Sequence, residues 1–342
     1  MLIHYKCPNC GSDMAFDVSS GTLSCSSCGR QDDISEFEDE FIEKQFTVDE
    51  AKEYHCENCG AIVLTDKDTT ATSCSFCQAN VVLIDRLAGE LAPAKVIPFS
   101  ITKEQAQEAF KKWCRNGRLT PDGFMTADRV KNITGMYVPF WIYDLHSQIE
   151  VSAVGTKVRT YTRGDYIYTE TKYYDLYRDM EMYHVKVPVD ASEKMDDSLM
   201  DQLEPYNYKD LVEFKTPYLT GYLAEKHNFT DRELFPRAKA KINSYINKYI
   251  SKSMSHYSTV RKKSESINTE QKKGSYVLFP VWMIVYDLDQ QEHTFAMNGQ
   301  TGKVVGKPPV SKRKVMTWFS AIALASFAVI KVIAGLIGGV WW

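Results

Sequence analysis

The spacing of apolar residues changes character several times along this chain. Thr102 through Cys114 repeats them at helical intervals, at Ala106, Ala109, Phe110 and Trp113. Thr102 and Gln105 are placed to form a capping box, and Asn116-Gly117 is placed to stop the helix. From Tyr137 to Pro188 the period becomes that of strands. Tyr166, Tyr168 and Thr169 through Tyr174 are dense in strand formers, and Arg163-Gly164-Asp165 is the expected turn. Ser192 to Leu203 reads as a short helix and Asp231 to about Ile250 as a longer one, where Pro236 is tolerated only near the start. Strands resume at Tyr257, pass through Tyr276 to Leu288, and close in a Gly-rich hairpin near Asn298-Gly299. This pattern predicts an α+β middle domain over residues 91–310, with a mainly antiparallel sheet.

Two stretches of that domain echo each other. Val138-Pro139-Phe140-Trp141-Ile142-Tyr143-Asp144-Leu145 is matched by Phe279-Pro280-Val281-Trp282 and, two residues out of step, by Tyr286-Asp287-Leu288. Equivalent strands of a pseudo-symmetric sheet would produce this echo, with Trp and Tyr in the core.

Ahead of the domain stand eight of the nine cysteines, in four C-x-x-C pairs: Cys7/Cys10, Cys25/Cys28, Cys56/Cys59 and Cys74/Cys77. Each half has the spacing of a tetrahedral site with four thiolate ligands, which predicts zinc, two per chain, with iron in the same cage as the rival. Disulfides are disfavoured by the equal pairing and by the absence of a secretion-signal pattern at Met1-Leu2-Ile3-His4-Tyr5-Lys6. The expected boundaries are a first zinc ribbon at 1–30, an acidic linker or short helix at 31–53 carrying Phe37, Phe41, Ile42 and Phe46, and a second ribbon at 54–90. Cys114 reads as a structural thiol beside the helix stripe.

Charge narrows the partners. The net charge is -3, yet the first 90 residues hold 17 acidic and 6 basic side chains. So acidic a head is poorly suited to a nucleic-acid backbone, and nucleic acid is not the expected partner. A phosphate loop at Gly299-Gln300-Thr301-Gly302-Lys303-Val304 fails, because Met297 and Val304 occupy the positions of the first glycine and of the magnesium-holding hydroxyl. The seven histidines are scattered, and no catalytic constellation or small-molecule site is evident, which argues against an enzyme.

Residues 311–342 close the chain as a basic flank, Ser311-Lys312-Arg313-Lys314, and an apolar run from Val315 to Trp342. Trp318 to Trp342 is long enough to cross a bilayer, with Trp318, Trp341 and Trp342 at its ends. The basic flank predicts a single-pass cell-membrane protein with its N-terminal body in the cytoplasm. Lys331, costly at mid-depth, is accommodated by snorkelling, by a polar partner in the membrane, or by a shallow hairpin that does not cross. Gly335 and Gly339 offer a small-residue face for another helix.

The cysteine modules resemble the zinc ribbons of transcription factor IIB and of RNA-polymerase subunits. With Ile97-Pro98-Phe99, Tyr137-Val138-Pro139-Phe140-Trp141 and Asn298-Gly299-Gln300-Thr301-Gly302-Lys303 added, nearly the whole chain resembles the bacterial membrane-anchored TFIIB-type zinc-ribbon-containing proteins. The resemblance carries no catalytic residues. It implies a place in membrane-stress systems with phage-shock-protein A-like or flotillin-like partners. The expectation is a membrane-anchored scaffold or adaptor that docks protein partners, another membrane protein among them, at the lipid bilayer. A membrane-tethered nucleic-acid-binding protein is the alternative.

Overall fold

The computed structural model describes residues 2–3, 5–37, 53–56, 62–64, 68–74, 79–83, 92–115, 119–121, 133–288, 291–306 and 310–336. Its first strand, β1 (Leu2–Ile3), belongs to the main sheet described below. The first ribbon follows as a three-stranded sheet, β2 (Met14–Asp17), β3 (Thr22–Cys25) and β4 (Gln31–Asp32), all antiparallel. The β2–β3 hairpin connects the first two cysteine pairs, within the expected ribbon bounds of 1–30. The chain then makes a 3-10 turn, Ile34–Glu36, that buries Ile34 against Cys7, Met14, Phe16, Leu23 and Cys25. The ribbon's packing thus extends past residue 30.

In the second module β5 (Glu53–His55) pairs with β6 (Ile62–Leu64). Its other hairpin, β7 (Thr69–Ser73) with β8 (Asn80–Leu83), is not a separate sheet. β8 pairs with β1 and β7 pairs with a strand of the body, so the main sheet runs through the module.

The body begins with β9 (Lys95–Val96) and α1 (Lys103–Arg115). The expected capping box is present: Thr102 N–H donates to Gln105 Oε1 at 2.9 Å, and Gln105 N–H to Thr102 Oγ1 at 3.3 Å. Ala106 and Phe110 are buried on the stripe. Two long strands follow, β10 (Thr134–Arg163) and β11 (Tyr166–Asp190), joined at Gly164-Asp165. After α2 (Asp197–Leu203) come β12 (Val212–Glu213), β13 (Leu223–Glu225) and α3 (Asp231–Ser253). The long β14 (Thr259–Leu288) leads to β15 (Gln291–Asn298), β16 (Val304–Gly306) and the final helix α4 (Lys312–Leu336).

β10 sits between β11 and β14, antiparallel to both. The sheet is mixed: β13 joins β10 and β9 joins β14 in parallel. Its faces are covered unequally. On the odd-numbered face of β10, α1 packs over Tyr137 and α3 over Tyr143, Leu145, Ile149, Val151 and Ala153. Ala238, Ile242, Ile246 and Ile250, four residues apart, form the ridge of α3 that makes this contact. On the even face α2 covers Met136, Val138, Phe140 and Ile142. Past Ile142 no helix covers that face among the described residues, and Gln148 and Glu150 alternate with buried Ile149 and Val151.

The echo has a structural basis. Val138 lies opposite Phe279, so the two copies cross at a local two-fold between β10 and β14. Trp141 donates its indole N–H to Phe229 O at 2.8 Å, and Trp282 donates to Ile101 O at 3.0 Å. Each acceptor directly precedes a capping-box threonine, Thr230 for α3 and Thr102 for α1. Ala191 N–H bonds Pro139 O and Gly299 N–H bonds Pro280 O, both at 2.9 Å. Each short parallel strand pairs with the other copy's long strand, β9 with β14 and β13 with β10. The domain is therefore two interlocked strand–helix–hairpin units.

Candidate metal centre

Two knuckles of the same construction build the first site. Cys7 N–H donates to Ser12 O and Cys25 N–H to Arg30 O, both at 2.8 Å. Gly11 and Gly29 turn back with φ of 74° and 76°, donating to Cys7 O at 2.8 Å and Cys25 O at 2.9 Å. A residue with a Cβ would be strained at either position. The Sγ atoms of Cys7, Cys10, Cys25 and Cys28 all lie within 4.8 Å of one another, and none is in a disulfide. Cys7 to Cys28 and Cys10 to Cys25 are each 3.5 Å apart. Thiolates about 2.3 Å from a tetrahedral zinc stand roughly 3.8 Å from one another, so this set fits one zinc ion.

The electrostatics divide the ligands. Cys7 and Cys25 are buried, and Cys10 and Cys28 are exposed. Burial pushes the Cys7 thiol up to about 11. The backbone amide of Ser12 draws Cys10 down to about 6, and that of Arg30 holds Cys28 below the ordinary thiol value. These amides are the second shell that glycine at the knuckle frees to point at sulfur. A zinc ion held here would be structural, since Cys7, Cys10, Cys25 and Cys28 would fill all four positions and leave none open for chemistry.

The second set is only partly within the described residues. Cys56 and Cys74 are buried in one cluster with Tyr54, Ala79, Val81 and Leu83. Cys74 N–H donates to Ala79 O at 2.8 Å, the five-residue return that Cys7 and Cys25 also make. Cys59 and Cys77 lie outside the described residues, as do Phe41, Ile42, Phe46 and the side chain of Cys114.

Contacts that sequence reasoning missed hold the first ribbon against the body. Phe16 N–H donates to Thr220 O at 3.2 Å, and the Phe16 ring meets Tyr218 edge-on at 5.4 Å. The Tyr5 hydroxyl bonds that of Thr216. Lys215 Nζ donates to the carbonyls of Ile34, Ser35 and Phe37 at 3.2, 2.9 and 2.8 Å. Tyr222 continues inward, stacking on Phe99 at 4.2 Å. No periodicity marks Lys215 to Tyr222, because its partners are distant in sequence.

α4 leaves the body from a short dock of its own. Ser311 N–H donates to Leu119 O and Lys314 Nζ to Thr120 O, both at 2.8 Å. Lys312–Ile333 is long and apolar enough to cross a membrane, and none of it is buried against the body. Lys331 lies 5.7 Å from the Phe327 ring centroid; Gly339, Trp341 and Trp342 are outside the described residues.

Residues 5–46 match the family described as TFIIB zinc-binding. Over 339 residues the chain is 60% identical to a Bacillus subtilis (strain 168) protein named Uncharacterized protein YdjG, and the match covers 99% of each. The chain belongs to the YdjG family. No solved structure matches it. A TFIIB-type ribbon is a structural and interaction module rather than a catalytic one, and this YdjG-family chain joins it to a helix suited to spanning a membrane.

Proposed function

We propose that the protein is a membrane-anchored adaptor with two zinc ions per chain, its ribbons presenting a docking surface for protein partners at the cytoplasmic face. The observation that carries this reading is mechanical continuity. The ribbon is tied to residues 215–222, those residues are packed into the body's core, and the body is tied to the foot of α4. A docking head fixed in this way transmits a partner's position to the bilayer. The matching Cys74 return supports a second zinc, and Lys312, Arg313 and Lys314 support a cytoplasmic body. The nucleic-acid alternative draws on Lys157, Arg159 and Arg163 beside exposed tyrosines of the β10–β11 hairpin, against the acidic ribbons.

Partner sets copurified from solubilised membranes with the full chain and with Cys10→Ser/Cys28→Ser test the reading. The variant should remain in the membrane fraction and lose ribbon-dependent protein partners. An unchanged set removes the docking role from the first ribbon. Submicromolar, salt-dependent binding of DNA or RNA by the purified full chain would establish the alternative instead.

A further inference from the structure

The distal end of the β10–β11 hairpin is built for contact that the chain does not make with itself. Every residue from Lys157 to Asp175 is exposed. β14 begins at Thr259, opposite Thr156, so beyond that point, among the described residues, β10 has only β11 beside it. Among the described residues no strand pairs with the outer edge of β11. Tyr166, Ile167 and Tyr173 are 71%, 74% and 73% exposed. A long edge carrying large apolar side chains is a template for another strand unless something blunts it. Here neither proline nor a bulge interrupts Tyr166 to Leu176.

We propose that this edge pairs antiparallel with the same edge of a second copy of this chain, about a two-fold axis at Thr171. Charge selects the occupant and the register. Lys157 lies directly opposite Lys172 across the hairpin, an unfavourable like-charge pair, while Arg159 lies opposite Glu170. Centring the two-fold on Thr171 places Glu170 of each copy opposite Lys172 of the other. Each Lys172, already 3.4 Å from Glu170 of its own strand, thereby gains a second acidic neighbour on its open side. In the same register Tyr168 faces Tyr174, Tyr166 faces Leu176 and Thr169 faces Tyr173, pairs that favour a strand ladder. A two-fold centred one residue on, at Lys172, would oppose lysine to lysine, and one centred on Asp175 would oppose aspartate to aspartate. Only side chains from the same face of the sheet meet, because a two-fold perpendicular to the sheet preserves its faces. The contact is self-complementary and closed, so it ends at a dimer.

Sedimentation of the full chain in detergent, with compensating charge variants, tests this. Wild type should dimerise. Glu170→Lys and Lys172→Glu should each weaken the dimer about tenfold or more by creating like-charge pairs, with zinc content and circular dichroism unchanged. Mixing the two variants should restore dimers, since both lysines of one copy then face both glutamates of the other. A photo-crosslinking residue at position 171 should join to residues 166–176 of the second copy. A monomer at all concentrations, a dimer indifferent to both variants, or singles that weaken it without rescue on mixing would each overturn the proposal.

Discussion

At the scale of single residues, polar groups in the core mark where the two internal units differ. Phe140 is paired with Asp190 and Val281 with Asn298, so Asp190 and Asn298 occupy matching strand ends, and both are buried. Asn298 donates to Leu203 O at 3.0 Å. Asp190 meets the Arg237 guanidinium at 2.7 Å, yet burial outweighs that attraction and holds its carboxyl up at about 6. A folded-state value above the ordinary 3.8 means that folding favours the protonated form. Its contribution to stability is present below the ordinary value and is lost as pH rises through about 6. Asp190→Asn, which installs the residue of the matching position, should remove that loss. The difference in thermal midpoint between variant and wild type should shift towards the variant between about pH 4 and about pH 6. Both proteins share the same zinc ligands, so this difference isolates Asp190; a gap constant with pH would refute it. Nothing in the sequence alone singles out Asp190, because its environment is assembled from α3 and from a strand end.

At the scale of elements, local signals were readable where one segment carries the whole device. The capping box at Thr102, the C-x-x-C pairs Cys7/Cys10 and Cys25/Cys28, and the apolar helix each need only neighbouring residues, and each has a counterpart in the structure. The thirty-residue lengths of β10 and β14 were not readable, since a strand's extent depends on partners elsewhere in the chain. The union of β7 and β8 with the main sheet was hidden for the same reason: β13, which pairs with β7, has only three residues. Zinc tests how separate the modules are. The full chain should contain two zinc ions, and Cys25→Ser should leave one. Hydrogen exchange should quicken over residues 5–37 and over 215–222, where the ribbon docks, while the β10–β14 core stays protected. Loss of both ions, or global unfolding, would show that the modules fold as one.

For the whole molecule, the decisive feature is that the body grips both the first ribbon and the foot of α4. The long strands, each about 100 Å if fully extended, lead away from both docks. Tyr222 packs beside Gly135 at the start of β10, and Gly306 pairs with Phe295, itself opposite Ile284 at the same strand end. Sequence showed the ribbon and the helix but not their coupling, which rests on carbonyls such as Thr120 O and Thr220 O that carry no sequence signature. The topology proposed above draws on the basic foot of α4, Lys312 to Lys314, which the positive-inside rule would put on the side with anionic headgroups, and on the attachment of the body directly to that foot. Deleting residues 315–342 should move the body from the membrane to the soluble fraction, because within the described residues no other helix is long and apolar enough to hold it. A cysteine-reactive probe placed after Trp342 should be labelled from outside intact cells. Labelling only after permeabilisation would rule out a single crossing and favour a shallow hairpin. Lys331 then reports on company in the bilayer. A lysine at that depth is costly unless it snorkels or meets a polar partner. With a partner, Lys331→Leu keeps the anchor but loses the associated membrane protein in copurification; with snorkelling alone, the copurified set is unchanged.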